Sequence, residues 1–121
     1  MKKFIFLLML IPLVIGTSCD KTSNIVVFKK KIKYKVSGTA TEIMVTYVND
    51  RGETKMTGIS TGTIPWEYEF SVKPDSYVYL QAVNATDTGD VEVEIFQKDA
   101  VLFSDNNDLP FGAATCSGYV K

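Results

Sequence analysis

From Ile32 onward almost every apolar stretch of the chain repeats with a period of two, and no stretch shows a sustained helical period. Successive side chains of an extended strand point to opposite faces, so this pattern belongs to strands with one buried face. Ile32, Tyr34 and Val36 alternate with Lys31, Lys33 and Lys35, which gives a first strand an inside and an outside. A second strand is expected from about Glu42 to Val48 and a third from Glu53 to about Ile59. Between them, Asn49-Asp50-Arg51-Gly52 suits a type I turn with glycine in the left-handed position, so the pair reads as a hairpin. The strongest alternation sets Trp66, Tyr68, Phe70 and Val72 against Glu67, Glu69 and Ser71. Lys73-Pro74-Asp75-Ser76 then supplies a turn into Tyr77 to Val83, where Val78, Leu80 and Ala82 oppose Tyr77, Tyr79 and Gln81. After a polar loop from Asn84 to Asp90, Val91, Val93 and Ile95 alternate with Glu92 and Glu94. A turn near Lys98-Asp99 leads into Val101 to Phe103, a loop covers Ser104 to Gly112, and a last strand lies near Ala113 to Val120. Turn signals at this spacing predict an all-β, antiparallel sandwich of about seven to nine strands.

The first residues follow different rules. Lys2 and Lys3 precede an apolar run from Phe4 to Ile15, the length of a secretory signal and too short to span a bilayer. Gly16, Thr17 and Ser18 then lead into Cys19, a sequence that resembles the cleavage box of bacterial lipoproteins. The usual leucine three places before the cysteine is here Gly16, with Ile15 one place further back. The resemblance implies cleavage after residue 18 and a diacylglyceryl group on the Cys19 sulfur, with acylation of the new amino terminus. The other readings of Cys19 are an ordinary signal cut nearby or an uncleaved anchor. Each buried methylene contributes about 0.8 kcal/mol, so two or three acyl chains would hold a protein at a membrane without a spanning helix. The expected division is therefore a signal peptide at 1–18, a lipidated tether at 19–31 and a sandwich domain at 32–121. The tether includes a possible strand at Ile25 to Phe28, and its lysines, Lys29 to Lys31, read as a solvated segment rather than a specific anionic-lipid contact.

Loss of the leader leaves 11 basic against 14 acidic residues, a formal charge of −3, and the chain has no histidine. A mildly acidic surface is a poor match for nucleic acid, which needs cationic contacts. Without histidine no Ser-His or Cys-His pair exists, and the commonest transition-metal ligand is missing. Glu67 with Glu69, and Glu92 with Glu94, place carboxylates ~7 Å apart on one strand face. That separation would suit a glycosidase pair, but the opposite faces carry the core, so these glutamates are expected to face water. Asp105-Asn106-Asn107-Asp108, and Asp87 with Asp90, offer oxygen ligands for calcium but lack the spacing of an EF-hand loop; local turn chemistry is the favoured reading, and a calcium-stabilised adhesive domain is the alternative to it. Trp66, at the head of its strand, belongs to the core unless it offers a stacking platform for a sugar. Tyr77 and Tyr79, on the outer face of theirs, are the better candidates for a contact surface, and Val83 and Phe96 also look outward. Cys116 loses its only possible partner if Cys19 carries lipid, so it is expected as a buried free thiol.

From Tyr34 onward the order of features resembles the soluble domain of the small mycobacterial membrane proteins known as MmpS. The likeness rests on Tyr34-Lys35-Val36-Ser37-Gly38, on Ile43-Met44-Val45-Thr46-Tyr47 leading to Asn49-Asp50-Arg51-Gly52, on Ile64-Pro65-Trp66 with its strand to Phe70, and on a last strand carrying Cys116. It implies an immunoglobulin-like sandwich and a role as accessory partner of large resistance-nodulation-division (RND) type transporters. That family is held by a transmembrane helix and pairs its last cysteine with one on the preceding strand, whereas Val91 to Phe96 has no cysteine here.

The sequence thus leads to a non-enzymatic, lipid-anchored accessory or interaction module of the bacterial cell envelope, periplasmic or surface-exposed. It requires no cofactor or metal and contacts a membrane through lipid and an envelope protein through its fold. The alternative is a glycan- or lipid-binding surface lipoprotein using Trp66, Tyr77 or Tyr79.

Overall fold

The computed structural model describes residues 28–121. Eight strands run in chain order: β1 (Lys30–Ser37), β2 (Glu42–Val48), β3 (Thr54–Ser60), β4 (Trp66–Val72), β5 (Tyr77–Asn84), β6 (Val91–Gln97), β7 (Ala100–Asn107) and β8 (Ala113–Tyr119), with a 3₁₀ turn at Thr61–Thr63. They form two four-stranded antiparallel sheets, ordered β4-β1-β6-β7 and β8-β5-β2-β3. This is the all-β sandwich expected from the alternation. The leader, Cys19 and Ile25 to Val27 lie outside the described residues, and Phe28 is exposed and precedes the first strand. β1 begins at Lys30 rather than Ile32, because Lys30 and Lys31 pair with Val72 and Ser71 of β4.

The core is built from the inward half of each alternation. Ile32, Tyr34 and Val36 of β1 and Val91, Val93 and Ile95 of β6 meet Ile43 and Val45 of β2 and Val78, Leu80 and Ala82 of β5. Each fully buried aliphatic side chain contributes about 1.5–3 kcal/mol, which offsets the entropy of ordering the strands. Cys116 lies in this core as a free thiol, and burial pushes it up to about 12, where thiolate chemistry is suppressed at neutral pH.

A polar strut crosses the core between the two layers. Tyr34, fully buried, sends its hydroxyl across from β1 to donate to the Val48 carbonyl at 2.6 Å and to accept from the Tyr79 amide at 3.3 Å. The β2–β5 ladder runs from Ile43↔Asn84 to Tyr47↔Leu80, so Val48 and Tyr79 would form its next rung. They bond instead to a side chain from the opposite sheet. Burial raises the phenol far above its ordinary range, so the hydroxyl stays protonated.

The two lateral seams differ. Along β7 and β8 the sheets close: the Thr115 amide donates to Asp105 Oδ2 at 3.0 Å, and Asn107 Nδ2 donates to the Ala113 carbonyl at 3.1 Å. Asp105 and Asn107 were expected in a loop; β7 instead continues through them because β6 offers rungs to Asn107. Along β3 and β4 the edges stay apart. Tyr47, Trp66, Tyr68 and Phe70 fill that seam, half-buried, with Trp66 and Tyr68 stacked at 8° between ring planes.

Candidate contact surface

The inward half of each strand is spent on the core, so the outward half carries whatever a partner could read. On sheet β8-β5-β2-β3 the outward side chains fall into cross-strand rows. One row is Thr115, Gln81, Thr46 and Met56; the next is Ala113, Val83, Met44 and Gly58. Beyond the first row, Tyr79 sits opposite Ser117 and Tyr77 opposite Tyr119. Among the outward strand residues of this sheet, Glu42 at one end is the single charged side chain. Gln81 Nε2 donates to Thr115 Oγ1 at 3.2 Å, and the Tyr77 and Tyr119 rings lie 5.5 Å apart.

Large apolar groups on this face are uncovered: Met44 is 41% exposed, Tyr77 46%, Met56 66% and Tyr119 67%. Two hollows flank it. One, about 380 Å³, lies between Tyr77, Val72 and the turn from Val48 to Gly52; the other, about 260 Å³, lies where Gly58 leaves room beside Met44 and Ala85. The turn beside the first hollow is rigidly tied. The buried Asn49 side chain accepts from the Arg51 and Glu53 amides, each at 2.9 Å, and Arg51 pairs with Glu53 at 3.1 Å. Hydrogen bonds from Asn49 and Arg51 hold the Glu53 carboxyl below the usual range.

The outer face of sheet β4-β1-β6-β7 is the opposite in character. Lys33 and Lys35 of β1 stand opposite Glu69 and Glu67 of β4, and Lys35 also faces Glu94 of β6. Lys33 Nζ approaches Glu67 at 3.9 Å and lies 5.0 Å from the centre of the Phe96 ring. Glu67, Glu69 and Glu94 are thus rungs of a charge ladder on the water side of their strands, and Glu92 is exposed between Ser37 and Asn106.

Of the residues singled out in the sequence, Tyr77 and Tyr79 share the uncharged face, with Tyr79 half-buried. Trp66 is elsewhere, inside the open seam, and Phe96 lies on the charged face under Lys33, so the aromatic candidates do not form one surface. Tyr119, Met44 and Met56 were not singled out, although the period-two parity that buries Ile43 and Val45 already turns Met44 outward. Of the oxygen-rich residues, Asp90, Asp105 and Asn107 are hydrogen-bonded. Asp90 Oδ1 accepts from the Thr39 amide and hydroxyl, both at 2.7 Å, which holds its carboxyl below the ordinary value, and Asn107 Oδ1 accepts from the Leu109 amide at 2.8 Å. Gly38, at φ +134°, passes so close to the Asp90 carbonyl that any side chain would collide, which explains the glycine closing Tyr34-Lys35-Val36-Ser37-Gly38. Among the described residues no three Cys, Asp or Glu side chains gather as a metal site would require. Among them, too, no helix is long and apolar enough to cross a membrane.

A scan against protein-family models finds no match for this chain, and a search of the curated proteins finds none either.

Proposed function

We propose that the chain is a non-enzymatic, lipid-anchored interaction module of the bacterial cell envelope that docks another envelope protein on the uncharged face of sheet β8-β5-β2-β3. The observation that carries this reading is the composition of that face. Protein interfaces are enriched in tyrosine and methionine and depleted of lysine, glutamate and aspartate, and this surface follows that rule while the opposite sheet violates it. The resemblance to MmpS adds a membrane transport complex as the class of partner, and the resemblance of Cys19 to a lipobox supplies the anchor.

A photo-crosslinking residue placed at Met56 or Tyr119 in intact cells should give a discrete protein adduct, and one at Lys35 or Glu67 should not. Adducts of equal yield from both faces, or none from Met56 and Tyr119, would reject the docking surface.

A second reading, glycan or lipid binding, is favoured by a separate feature, the half-buried stack of Trp66 on Tyr68 in the open seam. Trp66 is the single tryptophan, so its emission is a clean probe. A saturable spectral shift on titration with a glycan or lipid supports that reading, and an unchanged spectrum across the panel removes it.

A further inference from the structure

Seen along the strands, the two ends of the sandwich carry opposite charge. At the far end the connections at residues 38–41, 60–65, 85–90 and 108–112 hold Asp87, Asp90 and Asp108 and no lysine or arginine. The other end is where the chain arrives at β1, and there lysines from four separate parts of the sequence converge. Lys30 opens β1 opposite Val72, so Lys73 follows directly beside it. The Lys98 amide donates to the Lys31 carbonyl at 3.1 Å, and the Lys121 carbonyl accepts from Gln97 Nε2 at 3.3 Å. Lys30, Lys98 and Lys121 line an open depression together with Gln97, Ala100, Val101 and Leu102, and a second depression is lined by Lys31, Lys33 and Lys98 with Glu69 and Asp99. Val101 is 50% exposed and Phe28, immediately before the lysines, 76%. Asp75 and Asp99 are acids on the neighbouring turns, and on the β2–β3 turn Glu53 is neutralised by Arg51 and Lys55 while Asp50 is exposed.

We infer that this end is a basal foot that seats the domain on an anionic lipid surface. Lysines ringing exposed apolar side chains match a bilayer interface, where acidic headgroups meet the acyl boundary. The inference rests on the reading of Cys19 as the anchor: eight residues separate Cys19 from Phe28, so the foot stays within about 30 Å of the bilayer. The sequence taken alone reads Lys29 to Lys31 as a solvated run because it is short and the rest of the domain is acidic; the fold adds Lys73, Lys98 and Lys121 to it. With the foot on the membrane, the strands stand upright, the acidic end points away, and the uncharged face is presented sideways to a neighbouring envelope protein.

The test uses the protein purified from cell membranes and reconstituted into vesicles of phosphatidylcholine, with and without about a third phosphatidylglycerol. Lysine acylation is then mapped by mass spectrometry. Anionic vesicles should slow modification of Lys30, Lys98 and Lys121 severalfold relative to neutral ones, while Lys35, higher on β1, keeps its rate; 0.5 M salt should erase the difference. The triple variant Lys30→Glu, Lys98→Glu, Lys121→Glu should lose the protection at an unchanged melting temperature, each lysine accounting for about a fivefold change in affinity for the charged surface. Equal protection in both vesicles, protection of Lys35 to the same degree, or protection that needs membrane proteins rather than lipid would overturn the foot. Retention on neutral vesicles reports the anchor separately: a chain without lipid on Cys19 fails to stay there, and its recruitment by anionic vesicles alone still decides the foot.

Discussion

The two outer faces of this sandwich are made by the same kind of strand and enclose the same core, yet one is a lattice of lysine and glutamate and the other is tyrosine, methionine and threonine. The core cannot account for the difference, since it constrains only inward positions. A charge ladder is what a water-facing sheet needs to stay apart from other sheets. Exposed methionine and tyrosine are costly in water unless something covers them, which is why the docking surface is proposed on the face without the ladder.

The most direct way to break the contrast is to move charge across it. Met56→Lys combined with Tyr119→Lys should lower affinity for a partner captured by crosslinking by about 100-fold, the scale of losing a hot-spot pair, as measured by titration with that partner. Glu67→Lys on the other face should leave the affinity unchanged. A smaller but still large effect concerns the link between the layers. Tyr34→Phe removes the hydroxyl that both Val48 and Tyr79 use, and should cost about 2 kcal/mol in chemical denaturation, with no loss of the uncharged surface. Within the ladder, Lys33→Ala should cost no more than about 0.5 kcal/mol, and added salt should shrink that cost further, because the pair with Glu67 is exposed. Acid should act mildly and at the turns. The Glu53 and Asp90 carboxyls are held below their ordinary range when folded, so their contribution is present at neutral pH and is lost as the pH falls through the depressed folded values. Asp90→Asn should remove its part of that slope in acid titrations of the melting temperature.

Much of the fold is legible from parity alone. β2 and β4 have the bounds the alternation gives them, and the turns at Asn49 to Gly52 and Lys73 to Ser76 sit where their residues place them. The extension of β7 was not legible, since Ser104-Asp105-Asn106-Asn107 is polar; it is a strand because β6 supplies rungs and because Asp105 and Asn107 bond to β8. Those reasons are long-range and leave no local mark. The contact surface was half legible. Parity turned Tyr77 and Tyr79 outward, but only the register between strands brings Tyr119 beside Tyr77, sets Met44 and Met56 in the rows of Val83 and Gln81 on the same face, and leaves Trp66 in the seam. The basal lysines show the same limit, being scattered in sequence and gathered only by the ends of the strands.

The Tyr34 hydroxyl has a kinetic meaning as well. An amide held by its neighbouring strand exchanges with solvent when that strand frays, but the Tyr79 amide is held from the opposite layer. Its proton should therefore be released when the two sheets separate, so that hydrogen exchange at this one amide would time the opening of the whole sandwich.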